Sequence, residues 1–200
     1  MRLILPVLLL AALPLTLHPL AAQVVLEPSA EDLPPGYPPK LGLAELVEGG
    51  KTQVLTTYDF SIGAFDASAW FGEGIEARGF YLTAYPDDNP DARKGVLRIY
   101  GHYESWTPGQ APGATTEGLV EWSITEGFRG RRWTSAGKPV EVVVDSFVPQ
   151  EPGQTSGYGH VTGHYSARVC SGDKDPVVVA PNARCREISG QFETDVQYSP

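Results

Sequence analysis

The chain has 200 residues, 24 acidic and 15 basic, for a formal charge of -9 at neutral pH. A chain this acidic, with only short basic clusters, is a poor match for nucleic acid or an anionic membrane surface. Its 22 glycines and 18 prolines stay below the level of a disordered chain, and 4 Trp, 9 Tyr and 7 Phe are ample material for a core.

Residues 1–22 read MRLILPVLLLAALPLTLHPLAA. One positive charge, an apolar stretch and then Ala21 and Ala22 follow the order of a secretory signal. Cleavage is expected at Ala22–Gln23, with Leu20 in the minus-three position. Pro14, His18 and Pro19 interrupt the roughly 20 apolar residues that a spanning helix needs, so no transmembrane anchor is expected. A periplasmic or secreted location follows as the expectation. Residues 23–40 carry five prolines and read as an extended N-terminal arm. The remainder, 41–200, is expected to form a single all-β domain.

Within it, LGLAELVE (41–48) suits either a short helical turn or a first strand. From residue 52 the pattern is strand after strand. Val54, Thr56, Tyr58, Phe60 and Ile62 share one face of the first run. Phe80, Leu82 and Ala84 then oppose Tyr81 and Tyr85 across 78–85. Runs follow at 96–103 and 119–125, where Val120, Trp122 and Ile124 alternate with polar residues. A short segment near Trp133 leads to the β-branched run 140–148, and the last two strands are 158–170 and 186–198. PDDNPDARKG, TPGQAPGAT, SAGKP and PQEPGQTSG punctuate them as turns and loops. About eight or more strands build either an antiparallel sandwich, the favoured reading, or a closed calycin-like barrel. A barrel carrying cargo would show small inward residues, and the large residues on both sides of 78–85 favour the sandwich.

The closing hairpin is the most informative part. Val161, Gly163, Tyr165, Ala167 and Val169 share a face of its first strand, and Ile188, Gly190, Phe192, Thr194 and Val196 match them on the second. The glycines Gly163 and Gly190 are placed to let a ring lie across the strand or to mark a bend. Ser189, Gln191, Glu193, Asp195 and Gln197 face solvent. Cys170 and Cys185, the only cysteines, stand at facing strand ends. In an exported chain they are expected to form a disulfide, with two free thiols as the alternative. Two cysteines alone make a poor zinc site, and no Cys-x-x-Cys redox spacing is present. The phrases VTGHYSARV and ISGQFET resemble the closing strands of exported bacterial β-proteins of uncharacterised function. The resemblance covers roughly 40 residues and implies an all-β fold and an exported life. It supplies no catalytic residues, and the cysteine-bounded insert falls outside its pattern.

No constellation in the chain amounts to an active site. Beyond residue 22 the histidines are His102, His160 and His164, and four residues along a strand put the last two about 13 Å apart, too far to share a metal. Asp87, Asn89 and Asp91 have the alternate spacing of a calcium loop, but Ala92 replaces its glycine and Arg98 its closing glutamate. Asp173 and Asp175 are discounted in the same way. Glu121 and Glu126 are an acid pair with nothing to single them out for glycoside hydrolysis, and no Gly-x-Ser-x-Gly elbow occurs. The basic cluster of Arg129, Arg131 and Arg132, flanked by Phe128 and Trp133, suits an anionic sugar or an acidic partner, or edge protection. Trp122 and Trp70 are expected in the core. Trp106 is expected to be the exposed ring, able with Tyr103 to stack on a sugar or to plug the end of the fold.

The expectation is therefore an exported, non-catalytic β-domain with a binding or structural role and no cofactor. Tyr103, Trp106, Arg131 and Arg132 are the candidate contacts for a small ligand, glycan or surface protein. A carrier of a small apolar ligand is the alternative, and a secreted hydrolase the third reading.

Overall fold

The computed structural model describes residues 38–59, 69–73, 78–86, 95–123, 132–172, 179 and 181–199, and none of them is helical. The export signal, most of the proline-rich arm, Phe60, Ile62, the 87–91 loop, Ile124, Glu126, Phe128, Arg129, Arg131, Asp173 and Asp175 lie outside the described residues. Among the described residues no helix is long and apolar enough to cross a membrane.

The segment 41–48 is a strand. β1 (Lys40–Glu48) turns through Gly49 and Gly50 into β2 (Lys51–Tyr58). Both turn glycines have positive φ, 56° and 78°, the backbone that a two-residue hairpin loop requires. The last four residues of β2 are all buried, Leu55 and Thr57 opposite Ala44 and Gly42 and Thr56 and Tyr58 from the face picked out by the alternation, while Val54 of that face is 42% exposed. The remaining strands are β3 (Ala69–Glu73), β4 (Arg78–Pro86), β5 (Val96–His102), β6 (Gly113–Ala114), β7 (Glu117–Ser123), β8 (Arg132–Thr134), β9 (Val140–Pro149), β10 (Gly157–Gly172) and β11 (Cys185–Ser199). The all-β class and the strand number agree with the alternation.

The eleven strands of the described residues belong to one sheet, ordered β2-β1-β11-β3-β4-β5-β7-β8-β10-β9-β6. The extra pairings β2–β4 and β10–β11 close eight of them into a hydrogen-bonded ring, β2-β1-β11-β10-β8-β7-β5-β4. Between β11 and β4 the short β3 bridges the same gap further along, parallel to β11 and antiparallel to β4. β3 and β6 were not legible as strands. They are too short for alternation to register, and each has a partner far along the chain, β11 for β3 and β9 for β6.

The inside of the ring is filled with large side chains rather than lined with small ones. Phe71, Phe80, Leu82, Ile99, Tyr165 and Phe192 are all at most 2% exposed. Glycines make room for the rings. A Cβ on Gly163 would run into the Phe192 ring directly opposite it, and one on Gly190 would meet the Tyr165 ring at 3.0 Å and the Glu45 carbonyl. Gly159 accommodates Phe147 in the same way, at 2.7 Å. The Tyr165 hydroxyl, its apolar ring spread over Gly190, donates to the Glu45 carbonyl at 2.9 Å. The two glycines of the closing hairpin thus each cradle a ring from the neighbouring strand.

Cys170 and Cys185 are register partners on β10 and β11 and are joined by a disulfide, with their Cα atoms 4.0 Å apart. The bond closes a loop of 15 residues in a hairpin whose ladder continues unbroken to Gly157 and Tyr198. Its main thermodynamic effect is therefore local. Reduction is expected to cost about 3 kcal/mol and to lower Tm by roughly 6–12 °C, while far-ultraviolet dichroism at 25 °C keeps its β signature. Complete unfolding in reductant at that temperature would show that the crosslink holds more than its hairpin.

Candidate ligand-binding face

Of the candidate contacts singled out in the sequence, Tyr103 is buried, Trp106 and Arg132 are half-buried, and Arg131 lies outside the described residues. Tyr103 is 3% exposed and stacks on Phe71, with ring centroids 5.6 Å apart. Trp106, expected to be exposed, is instead packed edge-on against Phe71 at 4.5 Å and lies 5.9 Å from Phe147 and 6.4 Å from Tyr198. The loop after β5 carries it onto the ends of β9 and β11, where four apolar rings together remove more surface from water than one exposed indole would. Of its two expected roles, the plug is the one this packing matches.

Arg132 is half-buried on β8, paired in register with Ser123 and Gly172. The adjoining Trp133 is core, with the Arg186 guanidinium 4.2 Å above its ring and Arg186 itself paired to Glu48. Trp122 is core as expected. Trp70 is not: it is half-buried on the outward side of β3, and its neighbour Phe71 takes the core position.

Burial pushes the hydroxyls of Tyr85, Tyr100, Tyr103 and Tyr165 above the usual tyrosine range. The nearby Tyr81 adds to the effect at Tyr100, and Glu45 adds to it at Tyr165, whereas the Val144 backbone opposes it at Tyr103. These four phenols therefore stay protonated at ordinary pH and offer no phenolate nucleophile.

Exposed chemistry gathers elsewhere, on the outward face of β9, β10 and β11. His160 Nδ1 lies 2.9 Å from Asp195 Oδ1, and its Nε2 lies 3.2 Å from Glu193 Oε1. Carboxylates only accept, so both bonds can form together only when the ring carries a proton on each nitrogen. Because the two carboxylates meet opposite edges of the ring, the three groups do not converge on one point. No set of three metal-ligating side chains occurs among the described residues.

One strand pair away, the β9–β10 register shifts between Thr162 and Gly163 and leaves Asp145 without a partner across the ladder. Such a bulge re-aims a side chain. Here Asp145 Oδ2 reaches His164 Nδ1 at 2.9 Å, and the neighbouring Ser146 and Thr162 hydroxyls bond at 2.7 Å. Two apolar side chains flank this network in the open: Val148, opposite His160, is 60% exposed, and Tyr158, opposite Gln197, is 50% exposed. Further along the face, Arg168 donates to Glu187 at 3.1 Å. There the surface dips into an open groove of about 500 Å³, with Ser166 and Ser189 between Val47 and Glu141.

His160 and His164 thus share a face, as the alternation indicated, but each is held by its own carboxylate partners. His102 sits apart on β5, paired in register with Gly79 and Glu117. Sequence reasoning marked Glu193 and Asp195 as solvent-facing without linking them to His160, and it passed over Tyr158, Asp145 and Ser146. Set against known protein families, characterised proteins and solved structures, the chain matches none.

Proposed function

We propose that the protein is an exported, non-catalytic binding domain and that it binds on the outward face of β9, β10 and β11. The observation that carries this reading is a pair of hydrogen-bonded clusters on that face, His160 with Glu193 and Asp195 and His164 with Asp145, near the half-exposed Tyr158 ring. Side chains that already hold one another lose little freedom when a ligand arrives, which is how a surface prepays part of the cost of association. The packed interior supports a surface role over a carrier role, since Phe80, Tyr165 and Phe192 occupy the space a cargo would need. Tyr103 and Trp106 act in this reading as structural closure rather than as ligand contacts. An export signal at residues 1–22 fits this reading, because an oxidising compartment would keep the Cys170–Cys185 disulfide closed.

Native mass spectrometry of the protein purified gently from its exported fraction tests the reading, with a Tyr158→Ala/His160→Gln double variant alongside. A retained mass on the parent chain that the variant loses is the expected result. A retained mass that both keep until they unfold would put the cargo inside the ring and overturn the proposal.

A further inference from the structure

We infer that His160 is a proton-dependent clasp, which holds Glu193 when its ring is charged and releases it when the ring is neutral. The inference concerns this chain's own side chains and does not rest on the binding reading above. Asp195 Oδ1 lies 2.9 Å from the ring's Nδ1, and Glu193 Oε1 lies 3.2 Å from its Nε2. A carboxylate has no hydrogen to give, so each contact needs a hydrogen on the ring nitrogen. The neutral ring has only one. Its other nitrogen then presents a lone pair to a carboxylate oxygen, and attraction turns into repulsion. The observed arrangement is that of the charged ring, and removing the proton forces one carboxylate away.

Glu193 is the one that leaves. Asp195 stands directly opposite His160 in the β10–β11 register and makes the shorter contact, whereas Glu193 reaches across from the position opposite Thr162. The glutamate side chain is also the longer of the two, with more rotamer freedom to regain. A donor is at hand for it. Thr162 Oγ1 lies 2.7 Å from Ser146 Oγ, and when Ser146 donates in that pair the Thr162 hydrogen is free for the carboxylate opposite. Among the described residues, the other register neighbours of His160 carry neither carboxylate nor cation: Val148, Ser146 and Gln150 on the β9 side, Tyr158 and Thr162 on β10, and Gln197 on β11. The remaining charges of the face are held further along it, Asp145 by His164 and Glu187 by Arg168, with Glu141 opposite Ser166.

His164 supplies the contrast. Among the described residues it meets one carboxylate, at Nδ1, and a neutral ring with its hydrogen on Nδ1 keeps that bond. His160 cannot keep both of its bonds. With the ring charged, its cluster holds one cation and two anions; with the ring neutral, it holds two anions, one of them loose. An ordinary imidazole makes this change at about pH 6.5. The end of the face beside Tyr158 therefore presents different chemistry on the two sides of that change.

Long-range nitrogen–proton NMR of the histidine rings, on the full chain with its disulfide intact and no ligand added, tests the clasp at about pH 5 and about pH 8.5. At the lower pH both ring hydrogens of His160 are expected to exchange with water about tenfold more slowly than the Nε2 hydrogen of His164. At the higher pH the one remaining hydrogen is expected on Nδ1, against the preference of a free side chain for Nε2. The Glu193 side-chain couplings should then average over rotamers while those of Asp195 stay fixed. His160→Gln should abolish the change at Glu193 between the two conditions, and His102→Gln, away from the face, should leave it in place. Equal exchange of the ring hydrogens at low pH, a hydrogen on Nε2 at high pH, or a Glu193 that still changes in His160→Gln would each overturn the clasp. Since no ligand takes part, a failed clasp leaves the surface reading standing, and a failed mass measurement leaves the clasp standing.

Discussion

Gly190→Ala is expected to destabilise the protein by about 3 kcal/mol or more, enough to consume much of the stability of an ordinary domain. A Cβ at this position would be driven into the Glu45 carbonyl of β1 and would press on the Tyr165 ring. Neither neighbour is free to yield. The Glu45 carbonyl accepts the Tyr165 hydroxyl, and β1 is held on both sides by its ladders to β2 and β11. The added methyl therefore has to separate β1 from β11 or expel a fully buried tyrosine ring. Urea unfolding of the oxidised protein measures the effect. Gly49→Ala provides the comparison, because nothing lies within 4 Å of a Cβ there and only its positive φ is penalised, at about 1 kcal/mol. A Gly190→Ala cost no larger than that of Gly49→Ala would mean that the two strands can part locally, and the cradle would then not be a constraint.

Phe71→Ala carries the second large effect, about 4 kcal/mol. Phe71 is fully buried and touches rings from three other parts of the chain: Tyr103 and Trp106 in the loop after β5, Phe147 in β9, and Phe80 in β4. Removing it leaves a cavity ringed by aromatic side chains that cannot all collapse into it. The loss should appear both in the unfolding midpoint and in the near-ultraviolet dichroism, which reports the fixed asymmetry of the packed rings. Trp106 should become more accessible to a fluorescence quencher, since its closest partner is gone. If the variant loses stability but Trp106 stays protected, the loop is held by other contacts and Phe71 is not the anchor of the plug.

Much of the fold could be read from the residues themselves. The two-residue period of β4, β5, β7, β10 and β11 comes from a sheet with one packed side, and that side was identified correctly for the closing hairpin. The glycines within it were read as room for a ring or as bends, and the register decided for rings and assigned each ring to its glycine. The disulfide could have supplied that register. Counting ten residues back from Cys170 and ten forward from Cys185 sets His160 opposite Asp195, as the ladder does. The histidine network was therefore half legible, in the part that spans the hairpin. The part that joins Asp145 to His164 was not, because it depends on a bulge in β9 that follows no side-chain pattern.

What the sequence determined by itself is what local chemistry controls: strands in place of helices, the inward and outward sets of each long strand, the paired cysteines, and a chain with no recognisable catalytic motif. The tertiary structure alone decided which exposed positions meet. Alternation says that a residue faces out but not which distant strand lies beside it, so Trp106 read as exposed until β3, β9 and β11 were brought beneath it. The same limit hid β3, whose five residues pair with β4 on one side and with the distant β11 on the other. Closure of the ring and the packing at its end arise from pairings between segments far apart in the chain, whereas the bonded face lies on the consecutive strands β9, β10 and β11 and needed only their register.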